Sequence, residues 1–242
     1  MGVVKMIDYG IRLDSLEEAI KDVSAGRFVV ILDHPSREGE GDFIAAAAKV
    51  TPDMINFMTK YARGAFIATF ITENIANTYN LPPQIPSSFN EESSRTNFRL
   101  TADTRYGKSG CSAAERAQTA NILGGRFVPY ECKPALRYSS ENDLKGVVRS
   151  STSQDLVRPG HVVPIVANPG GLYARQGHTE SGVGLMELAN ISPPVAVDME
   201  ILNPDGTMAK PKYIRRLADK HNIKVISIGQ LCEHLGISVK VK

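Results

Sequence analysis

The sequence predicts one α/β-type domain in which helices and a sheet form layers. Three observations carry this. Short β-branched apolar runs, such as FVVILD at 28–33 and KVISI at 224–228, read as buried strands. Between them stand segments with apolar residues at helical spacing, several opened by a Ser or Thr cap. The two kinds alternate along 242 residues with no internal repeat and no convincing break, the pattern of layered helix and sheet. A single domain over 1–242 is expected.

Residues 14–25 read as a helix. Ser15 and Glu18 form a capping box, Leu16, Ala19, Ile20 and Val23 share a face, and Gly26 stops it. The strand 28–33 follows, and directly after it comes DHPSREGEGDFIAAAA. Residues 51–64 read as a helix with a Thr51 cap and Pro at the first helical position. Its stripe of Met54, Phe57, Met58 and Tyr61 belongs to a core. AFIATFIT, 65–72, is the next strand. Residues 80–96 are rich in Pro, Ser and Asn and read as a linker or a mobile loop, expected with the acidic loop to order over a ligand. Residues 112–125 carry a second capping box, Ser112 with Glu115. Residues 130–157 show no firm pattern. Strands are then expected at 161–167, 194–202 and 224–228, and helices at 179–189, 212–222 and 229–236.

Composition excludes several classes. Net charge is +2 and the basic residues are scattered, which gives no argument for nucleic acid. No apolar run approaches the roughly 18 residues of a membrane span. Three cysteines, Cys111, Cys132 and Cys232, lack metal-ligand spacing and are odd in number, the usage of reduced thiols in a cytoplasmic protein. The N-terminal MGVVKMIDYG lacks the features of a signal peptide.

Three stretches carry chemistry. Asp33, Arg37, Glu38, Glu40 and Asp42 crowd ten positions at the end of a strand. Four carboxylates so close repel one another unless a cation sits among them, and close oxygen ligands suit a hard cation such as Mg²⁺. The glycines at 39 and 41 let the backbone bend so that carboxylates converge; a solvated acidic turn is the bland alternative. The second stretch, 158–180, holds His161, Arg175, His178 and Thr179. His178 and Thr179 stand at an expected helix start, where free N–H groups attract anions, and Arg175 just upstream suits a phosphate. His161 and His178 each follow a Gly at an expected turn, which favours functional rings, whereas His221 and His234 read as structural. The third is MEILNPDGTMAK, 199–210, in which Glu200 interrupts an apolar strand. A buried carboxylate there has a raised pKa and suits general acid/base work. On that strand Val195, Val197, Met199 and Ile201 share one face, and Ala196, Asp198, Glu200 and Leu202 the other.

Five short pieces in order, SREGEGD, SAAERAQT, RPGHVVPI, RQGHTE and MEILNPDGTMAK, resemble the 3,4-dihydroxy-2-butanone 4-phosphate synthases of riboflavin biosynthesis, from about Ser15 to Gly236. The resemblance implies a single α+β domain with a mixed β-sheet packed between helices, and a homodimer with sites near the subunit boundary. It implies a lyase that converts D-ribulose 5-phosphate to 3,4-dihydroxy-2-butanone 4-phosphate and formate. The implied cofactor is Mg²⁺ or Mn²⁺, with Mg²⁺ held by Glu38 and His178. Arg37, Asp42, Glu200 and the segment Arg175, Gln176, Gly177, His178 and Thr179 match substrate contacts, as does Glu38 through the metal. His161 and Glu200 match residues essential for chemistry, and Asp33 and Glu40 match acids near the reacting carbons. Three departures stand out. Ala68 replaces a usual Cys, Lys108-Ser109-Gly110 stands for Thr-Thr-Gly, and Arg95-Thr96-Asn97-Phe98 for Gly-Thr-Ala-Phe. A paralogue acting on a related sugar phosphate, with a different product, is the alternative. A noncatalytic metal- or nucleotide-sensing module is a third reading, opposed by the presence of both the metal pair and Glu200.

Overall fold

A computed structural model describes residues 7–64, 66–130 and 148–239. In chain order the elements are α1 (Leu16–Ser24), β1 (Val29–Leu32), β2 (Gly41–Ala46), α2 (Pro52–Ala62), β3 (Ile67–Ile71), α3 (Glu73–Thr78), β4 (Asn97–Phe98), β5 (Ala102–Thr104), α4 (Ala113–Leu123), β6 (Arg126–Phe127), β7 (Arg149–Ser150), β8 (Leu156–Val166), α5 (Gly171–Ala174), α6 (His178–Leu188), β9 (Ala196–Glu200), α7 (Pro211–His221), β10 (Val225–Ser227) and α8 (Ile228–His234). Cys132 and most of the unpatterned 130–157 stretch lie outside the described residues.

Eight strands form one mixed sheet in the order β10-β1-β2-β9-β3-β8-β4, with β5 also paired to β8. β1 runs parallel to β10 and β3 to β8, while β1–β2, β2–β9 and β3–β9 are antiparallel. Each face of this sheet carries its own apolar cluster. On one, Val30, Leu32, Phe43, Val197 and Met199 meet Ile55 and Met58 of α2, Ile122 and Leu123 of α4 and Ile214 of α7. On the other, Ile31, Ile44, Phe70, Ile165 and Ala196 meet α1, α6 and α8 through Val23, Met186 and Leu231. The fold is therefore α+β, a mixed sheet between two helical layers.

Local chemistry explains the elements. Ser112 and Glu115 form both halves of the expected capping box. At α1 only half forms: the Ser15 hydroxyl accepts from the Glu18 N–H at 3.4 Å, but the Glu18 carboxylate reaches away to Lys224. The core stripe of α2 centres on Ile55, Met58 and Ala62, with Phe57 and Tyr61 at its margin against the His221 ring. Asp14 joins the start of α1 to α7 and β10, accepting from Arg215 at 2.5 Å and from the Val225 N–H at 2.8 Å.

One stretch without a reading gains an element, and one expectation changes. The apolar run after the acidic loop is strand β2, buried along all six residues. His161 does not follow a turn but lies inside the eleven-residue β8. Gly160 is there because β5 crosses closely: a side-chain carbon at 160 would sit 2.2 Å from the Ala102 carbonyl carbon.

Candidate functional site

The sheet registers bring the singled-out residues onto one face. Ile31 pairs with Asp42, and Asp42 pairs across with Glu200. Ala68 pairs with Asp198, so the first of the departures lies beneath the same patch. Side chains opposite each other share a face, so Asp42, Glu200, Asp198 and Ala68 all face α6. Continuing the β3–β9 pairing by two residues and the β3–β8 pairing by one puts Phe66 opposite Glu200 on one side and opposite His161 on the other. His161 is thus two strands from Glu200, roughly 10 Å along the sheet at the usual strand spacing, and does not touch it.

The acidic loop is wound around Asp33. This carboxylate, 1% exposed, accepts from the N–H groups of Glu38 at 3.1 Å and Glu40 at 2.9 Å. Arg37 bridges Asp33 at 3.2 Å and Glu38 at 2.9 Å. Lys210, at the start of α7, donates to the Glu38 carbonyl at 3.2 Å. Gly39 turns the loop at φ 63°, a conformation that favours glycine. Part of the cation that the carboxylates require is therefore supplied by the chain itself.

That supply is incomplete. Glu40 has a raised pKa, through loss of hydration and then the charge of Glu38. Asp42 is buried and raised for the same first reason, against the opposing pull of His178. Glu200 is raised by loss of hydration and by Asp42 and Glu40. Its surface is open at the end of β9, so the deeply buried acid of that strand is Asp198, not Glu200 as expected. Asp198 shares a hydrogen bond with Asp42 and is held well above the usual carboxylate range by burial and by that neighbour's charge.

His178 opens α6, as expected, with Gly177 before it. Its Nε2 lies 3.2 Å from the Ile31 carbonyl and its Nδ1 3.1 Å from Asp42 Oδ2. An Nε2–H donating to the carbonyl leaves Nδ1 with a lone pair aimed at a carboxylate, an arrangement that a cation resolves. Asp42 Oδ1 and Asp198 Oδ1 are both buried without a donor from the rest of the described residues, and the hydrogen bond these two carboxyls share leaves Asp42 Oδ2 toward His178. The His178 Nδ1 lone pair and the Glu38 carboxylate are therefore two donors of the kind a divalent cation takes. Among the described residues no three His, Cys, Asp or Glu side chains stand close enough to hold a metal alone. That suits an ion such as Mg²⁺, which takes few protein ligands and keeps waters or substrate oxygens.

Arg175 pairs with the buried Glu180 at 2.7 Å, and Gly177 makes room: a side-chain carbon there would lie 2.5 Å from the Arg175 guanidinium. Gln176 donates to the Ser238 carbonyl, and Thr179 is buried in the first turn of α6. A cavity of about 730 Å³ opens beside Arg175 and Thr179, walled opposite by the 83–99 segment.

His161 is held by a residue that sequence reasoning missed. Asp103 Oδ2 lies 2.7 Å from His161 Nδ1, and its Oδ1 accepts from the His161 N–H at 2.9 Å. The carboxylate fixes the ring and leaves Nε2 free to take a proton. The signal was an Asp amid the β-forming stretch RLTADT. The Lys108–Gly110 departure lies here too: Gly110, at φ 80°, abuts the Asp103 carboxylate. Within residues 80–96 a local hydrogen-bond network surrounds Glu92. The Glu92 carboxylate accepts from Ser94 at 2.9 Å and Thr96 at 2.6 Å, and the Asn90 side chain donates to the Thr96 carbonyl at 3.0 Å.

Comparison with known proteins places the chain in a family and agrees with this fold. The family model described as 3,4-dihydroxy-2-butanone 4-phosphate synthase matches residues 17–234. The chain is 36% identical over 224 residues to riboflavin biosynthesis protein RibBA of Aquifex aeolicus, covering 92% of this chain and 49% of that protein. It is 35% identical to the 3,4-dihydroxy-2-butanone 4-phosphate synthase of Helicobacter pylori strain J99, covering 92% of this chain and 57% of that one. The chain thus spans about half the length of these curated relatives. A solved 3,4-dihydroxy-2-butanone 4-phosphate synthase in complex with two magnesium ions superposes with a TM-score of 0.76 at 29% identity, covering 92% of this chain and 97% of that one.

Proposed function

The chain belongs to the 3,4-dihydroxy-2-butanone 4-phosphate synthase family, and from that premise we propose that it converts D-ribulose 5-phosphate to 3,4-dihydroxy-2-butanone 4-phosphate and formate, for riboflavin biosynthesis. The observation that carries the reading is the convergence of Glu38, Glu40, Asp42 and Glu200 with His178 on one face of the sheet, beside the Arg175 cavity.

The reaction begins by removing a proton next to a ketone, and the products together have the composition of the substrate. The work is therefore proton movement and charge stabilisation at fixed carbons. Mg²⁺, or Mn²⁺ in its place, would be held by Glu38 and His178 and would supply positive charge for the oxygens of the enediol. Glu200, its pKa raised toward neutrality, holds or gives a proton at its carboxyl. Glu40, raised in the same way, is the second acid of the pair nearest the reacting carbons. Asp33 keeps the loop in shape and so positions Glu38 and Glu40. His161, fixed by Asp103, takes a proton at Nε2. Arg175 and the opening N–H groups of α6, Thr179 among them, bind the phosphate, so that remote binding energy places the ketone end. Arg37 and Asp42 complete the contacts at that end.

We propose also that the chain works as a homodimer in the cytoplasm. The exposed apolar side chains Ile85, Phe89 and Tyr173 support a partner surface. Among the described residues no helix is long and apolar enough to cross a membrane. Formate release is the test of the activity. The purified chain is incubated with ribulose 5-phosphate, with Mg²⁺ or with a chelator, and formate is assayed enzymatically. Mg²⁺-dependent release supports the proposal, and no release with the metal present defeats it.

A further inference from the structure

We propose that Arg95 is a specificity-determining residue that grips the substrate phosphate together with Arg175, an inference that rests on the sugar phosphate reading above. A second cavity, of about 390 Å³, joins the acidic loop, the 80–96 segment and the residues before α6. Its wall carries three guanidinium groups, from Arg37, Arg95 and Arg175, with the hydroxyls of Ser36 and Ser94, and no carboxylate. Arg95 and Arg175 also line the larger cavity, so the two spaces share this pair of residues.

The three arginines are not equivalent. Arg37 is engaged by Asp33 and Glu38, and Arg175 by Glu180. The Arg95 side chain has no hydrogen-bond or ion-pair partner among the described residues. A cavity wall with one uncommitted guanidinium beside a second, and no acid, selects an anion. A phosphate monoester dianion matches two guanidiniums, which a neutral sugar does not.

The backbone presents Arg95 deliberately. Its φ of 51° lies in the left-handed region, which glycine occupies at no steric cost and arginine does not. The network around Glu92 holds it there: the Arg95 N–H donates to the Glu92 carbonyl at 2.9 Å, and the flanking Ser94 and Thr96 N–H groups donate to the Glu92 carboxylate. The network holds this guanidinium at the acid-free cavity wall, where an anion can meet it.

Arg95→Gly and Arg95→Lys are compared with the unaltered chain. Glycine suits the backbone, so melting temperature is expected to hold or rise in Arg95→Gly. Two quantities are read: KM and kcat with ribulose 5-phosphate, and the affinity for inorganic phosphate by calorimetry, which needs no turnover. Loss of one charged hydrogen-bonding partner predicts a rise of about tenfold or more in KM in Arg95→Gly, with kcat moving less. Phosphate affinity falls in parallel, and Arg95→Lys recovers part of both. Unchanged KM and unchanged phosphate affinity in Arg95→Gly would overturn the assignment while leaving the proposed reaction standing. Phosphate binding that depends on Arg95 in a chain that releases no formate would support the anion site and count against the reaction alone.

Discussion

Replacing Glu115 by glutamine removes the charge around which residues 108–112 are wound. The Glu115 carboxylate is buried and accepts from the N–H groups of Lys108, Ser109 and Ser112, with the Ser112 hydroxyl at 2.7 Å. Burial opposes the charge, but these donors prevail and hold the carboxyl down at about 2. A carboxyl near 4.5 when unfolded and about 2 when folded contributes roughly 3 kcal/mol at neutral pH, at about 1.36 kcal/mol per tenfold change in the proton equilibrium. Glutamine keeps one acceptor but turns an NH₂ toward donors, so we expect Glu115→Gln to cost about 2–3 kcal/mol at pH 7. For a chain of this size that is a fall of roughly 5–10 °C in melting temperature. The sign with pH is fixed. A depressed carboxyl stabilises fully above its unfolded value and loses that effect as pH falls through the folded one. Urea unfolding of both chains at pH 7 and near pH 2.5 should therefore show a gap that largely closes in acid. A gap of the same size at both pH values, or none at pH 7, would refute the reasoning. The same turn packs Gly110 against Asp103, so the variant should also lose activity through His161.

The remaining expectations concern the site. Glu200→Gln keeps shape but cannot move a proton, so turnover should fall roughly 10²-fold or more with melting temperature nearly unchanged; lost stability with normal specific activity would make Glu200 a structural brace. His178→Ala should weaken Mg²⁺ binding in calorimetry and abolish turnover in a protein that stays folded, and unchanged metal affinity would remove His178 from the metal site. In the metal-free chain the raised carboxyls Glu40, Asp42 and Glu200 destabilise the fold increasingly as pH rises from their unfolded values through their folded ones. Mg²⁺ should therefore raise the melting temperature more at pH 8 than at pH 5, and equal increments would contradict that. Asp103→Asn leaves the His161 ring without its carboxylate, so kcat should drop at least roughly tenfold; an unaffected kcat would separate Asp103 from the chemistry.

What was legible in the sequence follows from range. Capping boxes, proline at helix starts and two-residue alternation are local, and they placed α4, α2 and the two faces of β9 correctly. The acidic loop at a strand end and His178 at a helix start are likewise local signals. Strand β2 escaped because a strand buried on both faces shows no alternation, and FIAAAA has none. Helix α3 is six residues long, too short to show a period. The Asp103–His161 pair spans 58 residues and depends on β5 crossing β8, which no spacing reveals. The Gly before His161 signalled a turn when its reason was the close approach of another strand. The charge balance of the acidic loop was misread in part, since Arg37 and Lys210 supply some of the cation from within the chain.

The carboxylates and His178 gathered over the sheet are proposed to split a sugar phosphate into four-carbon and one-carbon products. Uniformly ¹³C-labelled ribulose 5-phosphate, incubated with the chain and Mg²⁺ and followed by ¹³C NMR, tests it most directly. Formate and a methyl ketone phosphate of four carbons are expected in equal amounts, both absent with a chelator. A five-carbon product, or unaltered substrate beside a metal-loaded and folded chain, would contradict it.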